Sequence, residues 1–363
     1  MRKFVLMAIA SFLSCTSIAQ AFWPEATDSS LKIGVGYRQD RFQWETRANS
    51  EASGSSYSNS NYESNDFPIG VESKNKWKNL NIWQIALSGN YVTCDNVYLR
   101  ASGDYGWITS GKVTDDDYLT FGSNSANTEI GYAPMSSSSS KVKGNVYDVK
   151  FAVGYQFQLC DDTFTIAPLV GYSWHGQRFR DSHLRHFVFD ANNEDLSAVS
   201  RSRSSYSSSY DSYYSGSGYS YYSYSGNHSS YHTRWNGPFI GFDFDYSICC
   251  DWNLFGGYEF HFAEFHGKAK WGQRSDICGS FNQRSKNAYG NYFDIGVQWA
   301  MCDCWTVDLK GEFQFWRAHH GHDRAKICQT DVGNVKRKCY LQIPTRNTEW
   351  CSAGVTLDLG MTF

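Results

Sequence analysis

Apolar and polar residues alternate along much of this chain with the two-residue period of a pleated strand. From Tyr147 the sequence puts Tyr147, Val149, Phe151, Val153, Tyr155 and Phe157 on one face and Asp148, Lys150, Ala152, Gly154 and Gln156 on the other. The same alternation returns at Phe164 to Trp174, Ile240 to Ile248, Trp252 to Phe262, Phe293 to Trp299 and Trp305 to Phe315. It predicts ten strands near 31–47, 77–92, 97–110, 142–158, 163–178, 233–248, 252–267, 289–300, 304–317 and 347–363.

A soluble sandwich with one wet face would also alternate. Three features favour a transmembrane antiparallel β-barrel instead. The apolar sets often begin and end in Trp, Tyr or Phe, as aromatic girdles at two interfaces require. Each run is long enough to cross a bilayer when tilted, which takes roughly 9–11 residues. The chain ends in Val355, Leu357, Leu359, Met361 and Phe363, and a terminal aromatic of this kind resembles the assembly signal of bacterial outer-membrane barrels. Closure of the barrel would satisfy every backbone group in lipid.

The connections alternate in length. Short turns are expected at 93–96, 159–162, 249–251 and 301–303, and long polar loops at 48–76, 111–141, 179–232, 268–288 and 318–346. That asymmetry puts the short turns in the periplasm and the long loops outside the cell. The loop at 179–232 is a low-complexity stretch of Ser, Tyr and Gly. It reads either as a solvated spacer or as an adhesive tuft of adaptable contact residues.

Compartment follows from the first 21 residues. Arg2 and Lys3 precede an apolar core, and Ala19-Gln20-Ala21 is a small-x-small cleavage site, so 1–21 reads as a signal peptide and 22–363 as the mature barrel. Losing those two cations leaves 31 basic against 36 acidic residues, a formal charge of −5. With no basic cluster, nucleic acid is not an expected partner.

Ten cysteines remain in an oxidising space. Every expected periplasmic turn carries one or two: Cys94, Cys160, Cys249 with Cys250, and Cys302 with Cys304. Adjacent cysteines and C-x-C pairs make only strained disulfides, and neighbouring turns are about 10 Å apart, beyond the usual limit of about 7 Å between Cα atoms. Two readings stand: crosslinks to partner proteins beneath the membrane, or an internal belt between turns. Cys278, Cys328 and Cys339 fall in outer loops and Cys351 near the last strand. In "AHHGHD", His319, His320 and His322 are weak metal candidates against a solvated loop, and no cofactor is expected.

The stretches "IGVGYRQDRFQW", "KWKNLNIWQIALSGNY" and "VYLRASGDYGWITSGK", with the cysteine turns, resemble the Protochlamydia outer membrane protein family of environmental chlamydiae over most of the mature chain. The resemblance implies a surface or pore-forming protein in an envelope built on disulfide-crosslinked outer-membrane proteins. The architecture is also similar to the omptins, ten-stranded outer-membrane proteases. "GWITSGKVTDDDYLTFGS" is similar to the omptin stretch that carries an Asp-x-Asp pair, which would fall on Asp115 and Asp117. The omptin Asp-x-His of the fourth loop has no counterpart. His266 lies just before that loop, and Glu259 and His261 lie lower on the alternate face. Asp115 and Asp117 therefore read as a solvated acidic loop before they read as half of a protease site.

The lumen separates the remaining functions. Inward positions include Arg100, Asp104, Asp148, Lys150, Asp243, Asp245, Glu259, His261, Asp294, Asp308, Lys310, Glu312 and Asp358. Both signs are present, so a polar plug is expected, and ten strands lie near the filled end of the barrel range. The expected role is non-enzymatic: a structural, surface-interacting outer-membrane barrel, with a narrow porin as the alternative and an omptin-like protease third. Expected partners are outer-membrane lipid and lipopolysaccharide, other cysteine-rich envelope proteins through disulfides, and host surfaces.

Overall fold

The computed structural model describes residues 27–49, 68–121, 131–160, 163–189, 214–215, 219–224, 229–270, 280–302, 304–330 and 336–363. The expected signal segment 1–21 lies outside them, as do Cys278 and most of the expected Ser/Tyr loop. The elements are β1 (Thr27–Asn49), β2 (Pro68–Val92), β3 (Val97–Phe121), β4 (Gly131–Tyr155), β5 (Phe157–Leu159), β6 (Phe164–Phe189), β7 (Tyr214–Ser215), β8 (Tyr219–Tyr224), β9 (Ser230–Cys249), β10 (Trp252–Lys270), β11 (Phe281–Cys302), β12 (Trp305–Thr330) and β13 (Lys336–Thr362).

Ten long strands form one antiparallel ring. Neighbours in sequence pair, β1 closes against β13, and β4 pairs β6. The short β5 continues the line of β4 beside β6 after a break at Gln156. β7 and β8 are a side hairpin, with β8 laid along the outer end of β6. Among the described residues no helix is long and apolar enough to cross a membrane; the crossing is made by strands.

Register fixes the shape. A row of directly paired residues leaves β1 at Ser30 and runs through Asn90, Arg100, Ala152, Gly171, Phe239, His261, Gly290, Trp316 and Trp350. It returns to β1 at Phe42, 12 residues above its start (42 minus 30). Ten strands with that offset are tilted by about 40°, with a wall about 10 Å from the axis. That radius leaves space for one layer of side chains from each side.

The strands are far longer than the bilayer needs. The 25 residues of β3 rise about 60 Å, against a hydrocarbon core of about 30 Å. In the half nearer the short turns, large apolar side chains face outward, among them Val35, Ile85, Leu99, Val153, Val170, Ile240, Ile295, Leu309 and Leu357. This band ends upward in exposed aromatics at Tyr37, Trp83, Trp107, Tyr147, Trp174 and Phe262. Above these the pattern inverts. On β6 the outward Val170, Tyr172 and Trp174 give way to exposed Arg178 and Arg180, while the buried inward set changes from Ser173, His175 and Gln177 to Phe179.

The inversion corrects the expected element bounds. β3 runs to Phe121 where alternation predicts an end near 110, β6 runs to Phe189, β12 to Thr330, and β13 starts at Lys336. Segments expected as loop at 111–121, 179–189 and 318–330 are strand, and 219–224 within the Ser/Tyr stretch is strand as well. Outside the membrane the outer face must be polar and the inner face apolar, so the chain keeps its strand geometry while losing its lipid-facing signature.

Candidate functional site

The lumen is built in layers. In the membrane half its walls carry charge because the lipid takes the apolar face. Arg100 on β3 reaches Asp243 of β9 at 2.5 Å and also pairs with Glu259 of β10. Lys150 on β4 reaches Glu259 at 3.0 Å. Lys32 meets Asp308 at 2.5 Å, and Lys310 stands 3.7 Å from Glu312. Arg38 bridges Asp40 at 3.0 Å and Asp148. Asp294 and Asp358 face the same interior and are nearly sealed from solvent. The pairs Arg100–Asp243, Arg100–Glu259, Lys150–Glu259 and Arg38–Asp148 join strands three or four places apart in the ring, so these charges hold separate walls together. Buried pairs of this kind stabilise little over an apolar core, but breaking one strands its partner.

A hydrogen-bond chain runs through the upper part of this layer. Ser173 and His261 Nδ1 are 2.9 Å apart, and His261 Nε2 is 2.9 Å from Glu259 Oε2. Hydroxyl, imidazole and carboxylate in series form the set used for nucleophilic catalysis. Here all three are buried, Ser173 at 0% exposure, and Glu259 is shared with Lys150 and Arg100. The series links β6 to β10 inside the barrel. Beside it, His175 Nδ1 lies 2.9 Å from Asp148 Oδ1. Ser173, His175, Arg38 and Asp40 join the network without having been singled out by sequence, although strand parity places all four on the inner face.

Aromatic rings close the layer above. Trp316 lies 4.5 Å from the His175 ring and 4.7 Å from the His261 ring. Over it lies a buried cluster that includes Phe42, Trp77, Phe179, Tyr231, Trp235, Phe265, Phe281 and Trp350. Gly290 makes room: a Cβ there would lie 2.4 Å from the Trp316 ring. A smaller apolar cluster of Val92, Tyr98, Ala167, Leu169 and Phe239 fills the β2, β3, β6 and β9 side.

The short-turn rim carries the cysteines. Cys94, Cys160, Cys249, Cys250, Cys302 and Cys304 are all exposed there, while Cys351 is half-buried on β13. The 93–96 turn is fixed by Thr93 N to Val97 O at 3.0 Å and by Asn96 with φ 63°. Cys160 itself has φ 54°, in the left-handed region. The terminal Phe363 donates its N–H to Ser29 O at 3.0 Å, anchoring the C-terminus at the same rim.

The profile of the Protochlamydia outer membrane protein family matches residues 32–363. The chain belongs to that family. No curated protein matches it. Among solved structures, this Protochlamydia outer membrane protein family member is similar to the outer membrane protease OmpT from Escherichia coli. That match has 12% identity and a TM-score of 0.66, and it covers 93% of this chain and 97% of OmpT. A FadL homologue of Pseudomonas aeruginosa aligns at 9% identity and a TM-score of 0.28 over 93% and 90% of the two chains. The translocator domain of the autotransporter NalP from Neisseria meningitidis aligns at 9% and 0.30 over 99% and 97%. The OmpT likeness concerns the fold alone.

The omptin-like candidates are placed apart in this family member. Asp115 and Asp117 share the inner face of β3 with the buried Val113, and Asp115 accepts from Asn75 at 2.7 Å and Asp117 from Ser136 at 2.9 Å. His266 points outward on β10, where Glu264 is 3.4 Å away. The inward side chains of β10 beyond His261 are Ala263, Phe265 and Ala269, all buried. Residues 271–279 lie outside the described residues. His319, His320 and His322 lie on β12, with His320 at φ 51°; among the described residues no three metal-ligating side chains converge.

Proposed function

We propose that this protein is a sealed, non-enzymatic barrel with a structural role, joined through its periplasmic rim to other cysteine-rich envelope proteins and presenting its long outer strands to the surroundings. The observation that carries this reading is the placement of six exposed thiols on one rim and in every turn of it. Thiols set there for folding would be expected to pair or to pack. Each crosslink would join one rim thiol and one partner thiol as a disulfide, with two electrons and two protons passing to a thiol oxidant of the envelope.

The filled lumen speaks against the porin alternative. Cross-lumen ion pairs and the aromatic layer above them occupy the interior, where wide barrels keep an aqueous channel. The separation of His266 from Asp115 and Asp117 speaks against the protease reading.

The test is electrophoresis of native envelopes with and without reductant. High-mass complexes should collapse to monomer on reduction. Replacing Cys94, Cys160, Cys249, Cys250, Cys302 and Cys304 by serine should abolish them while leaving a folded barrel, because the turns lie outside the bilayer. A wild-type protein that runs only as monomer without reductant ends the crosslinking proposal.

A further inference from the structure

On the inner wall near the short-turn rim, β12 and β13 set two acids against each other. Asp308 and Asp358 are directly paired in register, and both are buried facing the lumen. Side chains so placed lie about 5 Å apart at Cβ, and like charges repel at that range. Lys32 of β1 answers one oxygen, Asp308 Oδ2, at 2.5 Å. Asp308 Oδ1 is buried without a hydrogen-bond partner. Asp358 is 5% exposed and makes no hydrogen bond or ion pair among the described residues. Lys310, the next inward residue of β12, turns to Glu312 at 3.7 Å.

A third oxygen joins them. Nearer the rim, Thr306 is paired with Gly360, and its Oγ1 is also buried without a partner. Two glycines make room for this set. A Cβ at Gly34 on β1 would collide with Asp358 Oδ1, and a Cβ at Gly360 would collide with Thr306 Oγ1. In the membrane half of the lumen the inward carboxylates outnumber the lysines and arginines among the described residues, so the wall supplies no further cation. An unanswered carboxylate in a low-dielectric interior is costly. Two of them side by side, with a free hydroxyl, are arranged for a positive occupant.

The donors narrow that occupant. All are oxygen, which selects a hard cation over the metals that prefer nitrogen or sulfur. Two carboxylates and a hydroxyl fill only part of a coordination shell, and Mg2+ in particular keeps several waters while held by one or two carboxylates. β12 begins at Trp305, so Asp308 lies close to the periplasmic mouth, where the Lys32 side chain keeps 18% exposure. We propose that Asp308, Asp358 and the Thr306 hydroxyl bind a hard divalent cation, Mg2+ or Ca2+, which enters from the periplasmic mouth and keeps part of its water shell. The ion replaces repulsion between β12 and β13 with shared ligation, beside the seam where β13 closes on β1.

The test uses refolded full-length protein in neutral detergent, free of lipopolysaccharide and stripped of metal with a chelator. It is titrated calorimetrically with Mg2+ and with Ca2+ at fixed ionic strength, and Na+ forms the third arm. Wild type should bind a divalent ion saturably, and its midpoint of urea unfolding should rise when that ion is added. Asp358→Asn should bind at least tenfold more weakly. In chelator it should unfold no earlier than wild type, since it loses repulsion and no partner. Lys32→Gln should bind at least as tightly as wild type, because Lys32 competes for Asp308. Asp104→Asn removes a lumen carboxylate on β3, outside the site, and should stay within twofold of wild type. Absence of saturable divalent binding at millimolar concentration would overturn the proposal, as would an equal response to Na+. Binding unchanged in Asp358→Asn, or weakened equally in Asp104→Asn or Lys32→Gln, would overturn it too.

Discussion

Trp316 on β12 and Trp350 on β13 are directly paired in register and stack with ring centroids 5.7 Å apart and planes 17° from parallel. Both are fully buried. Below them lie the two buried histidines of the charged layer, and around and above them the aromatic cluster. This pair is the seam between an interior made of ion pairs and an interior made of rings.

Replacing both tryptophans by alanine should therefore open the seam. Each substitution should cost roughly 3–5 kcal/mol, the usual range for a buried tryptophan truncated without collapse. In planar bilayers the wild type should stay silent and the double variant should show discrete ion conductance. A wild type that conducts steadily would mean that the lumen is not sealed.

Arg100 holds two carboxylates, Asp243 and Glu259. Arg100→Ala should destabilise the folded barrel by roughly 3–5 kcal/mol, since it leaves buried negative charge unanswered. Adding Asp243→Asn should recover part of that loss, as measured by urea unfolding in lipid vesicles. No recovery would indicate that the pair is not energetically coupled.

Leu309 faces lipid at 50% exposure, so Leu309→Arg should impair assembly by roughly 2–4 kcal/mol. Leu309→Ile should fold normally. Comparable yields of folded protein for arginine and isoleucine would contradict the assigned lipid face.

Asp323 lies buried in the outer half of β12, accepting from Thr345 at 2.6 Å, and burial pushes its carboxyl up to about 7. A raised carboxyl favours the folded state fully at pH below the unfolded value near 3.8, and that advantage is lost as pH rises through about 7. Asp323→Asn should therefore gain stability over wild type as pH goes from 5 to 8, by at most about 2.7 kcal/mol, the two pH units between 5 and about 7. Parallel stability curves for the two proteins across that range would refute the assignment.

Dibasic peptides incubated with the folded protein and lipopolysaccharide should remain intact. Cleavage that Asp115→Ala and Asp117→Ala both abolish would restore the protease reading and direct attention to residues 271–279.

How much of this was legible in the sequence differs by layer. Within the membrane, lipid on one side and a charged lumen on the other force strict alternation, so Phe151 against Lys150 and Leu309 against Lys310 declare strand, face and closure from sequence alone. The short turns and the position of their cysteines follow from the same alternation. Above the aromatic ring the solvent reverses the rule. Phe179, Trp235 and Phe265 turn inward while Arg178, Arg234 and His266 turn out, and beyond this inversion a reading tuned to lipid takes the strand at 111–121, 179–189 and 318–330 for loop. Partner choice inside the lumen was not readable either. Which of Asp243, Glu259 and Asp148 meets Arg100 or Arg38 depends on the 12-residue offset around the ring, and that offset is set by pairing between strands hundreds of residues apart. The pairing of Asp308 with Asp358 arises for the same reason: the two are separated in the chain, and only the register of β12 and β13 places them side by side.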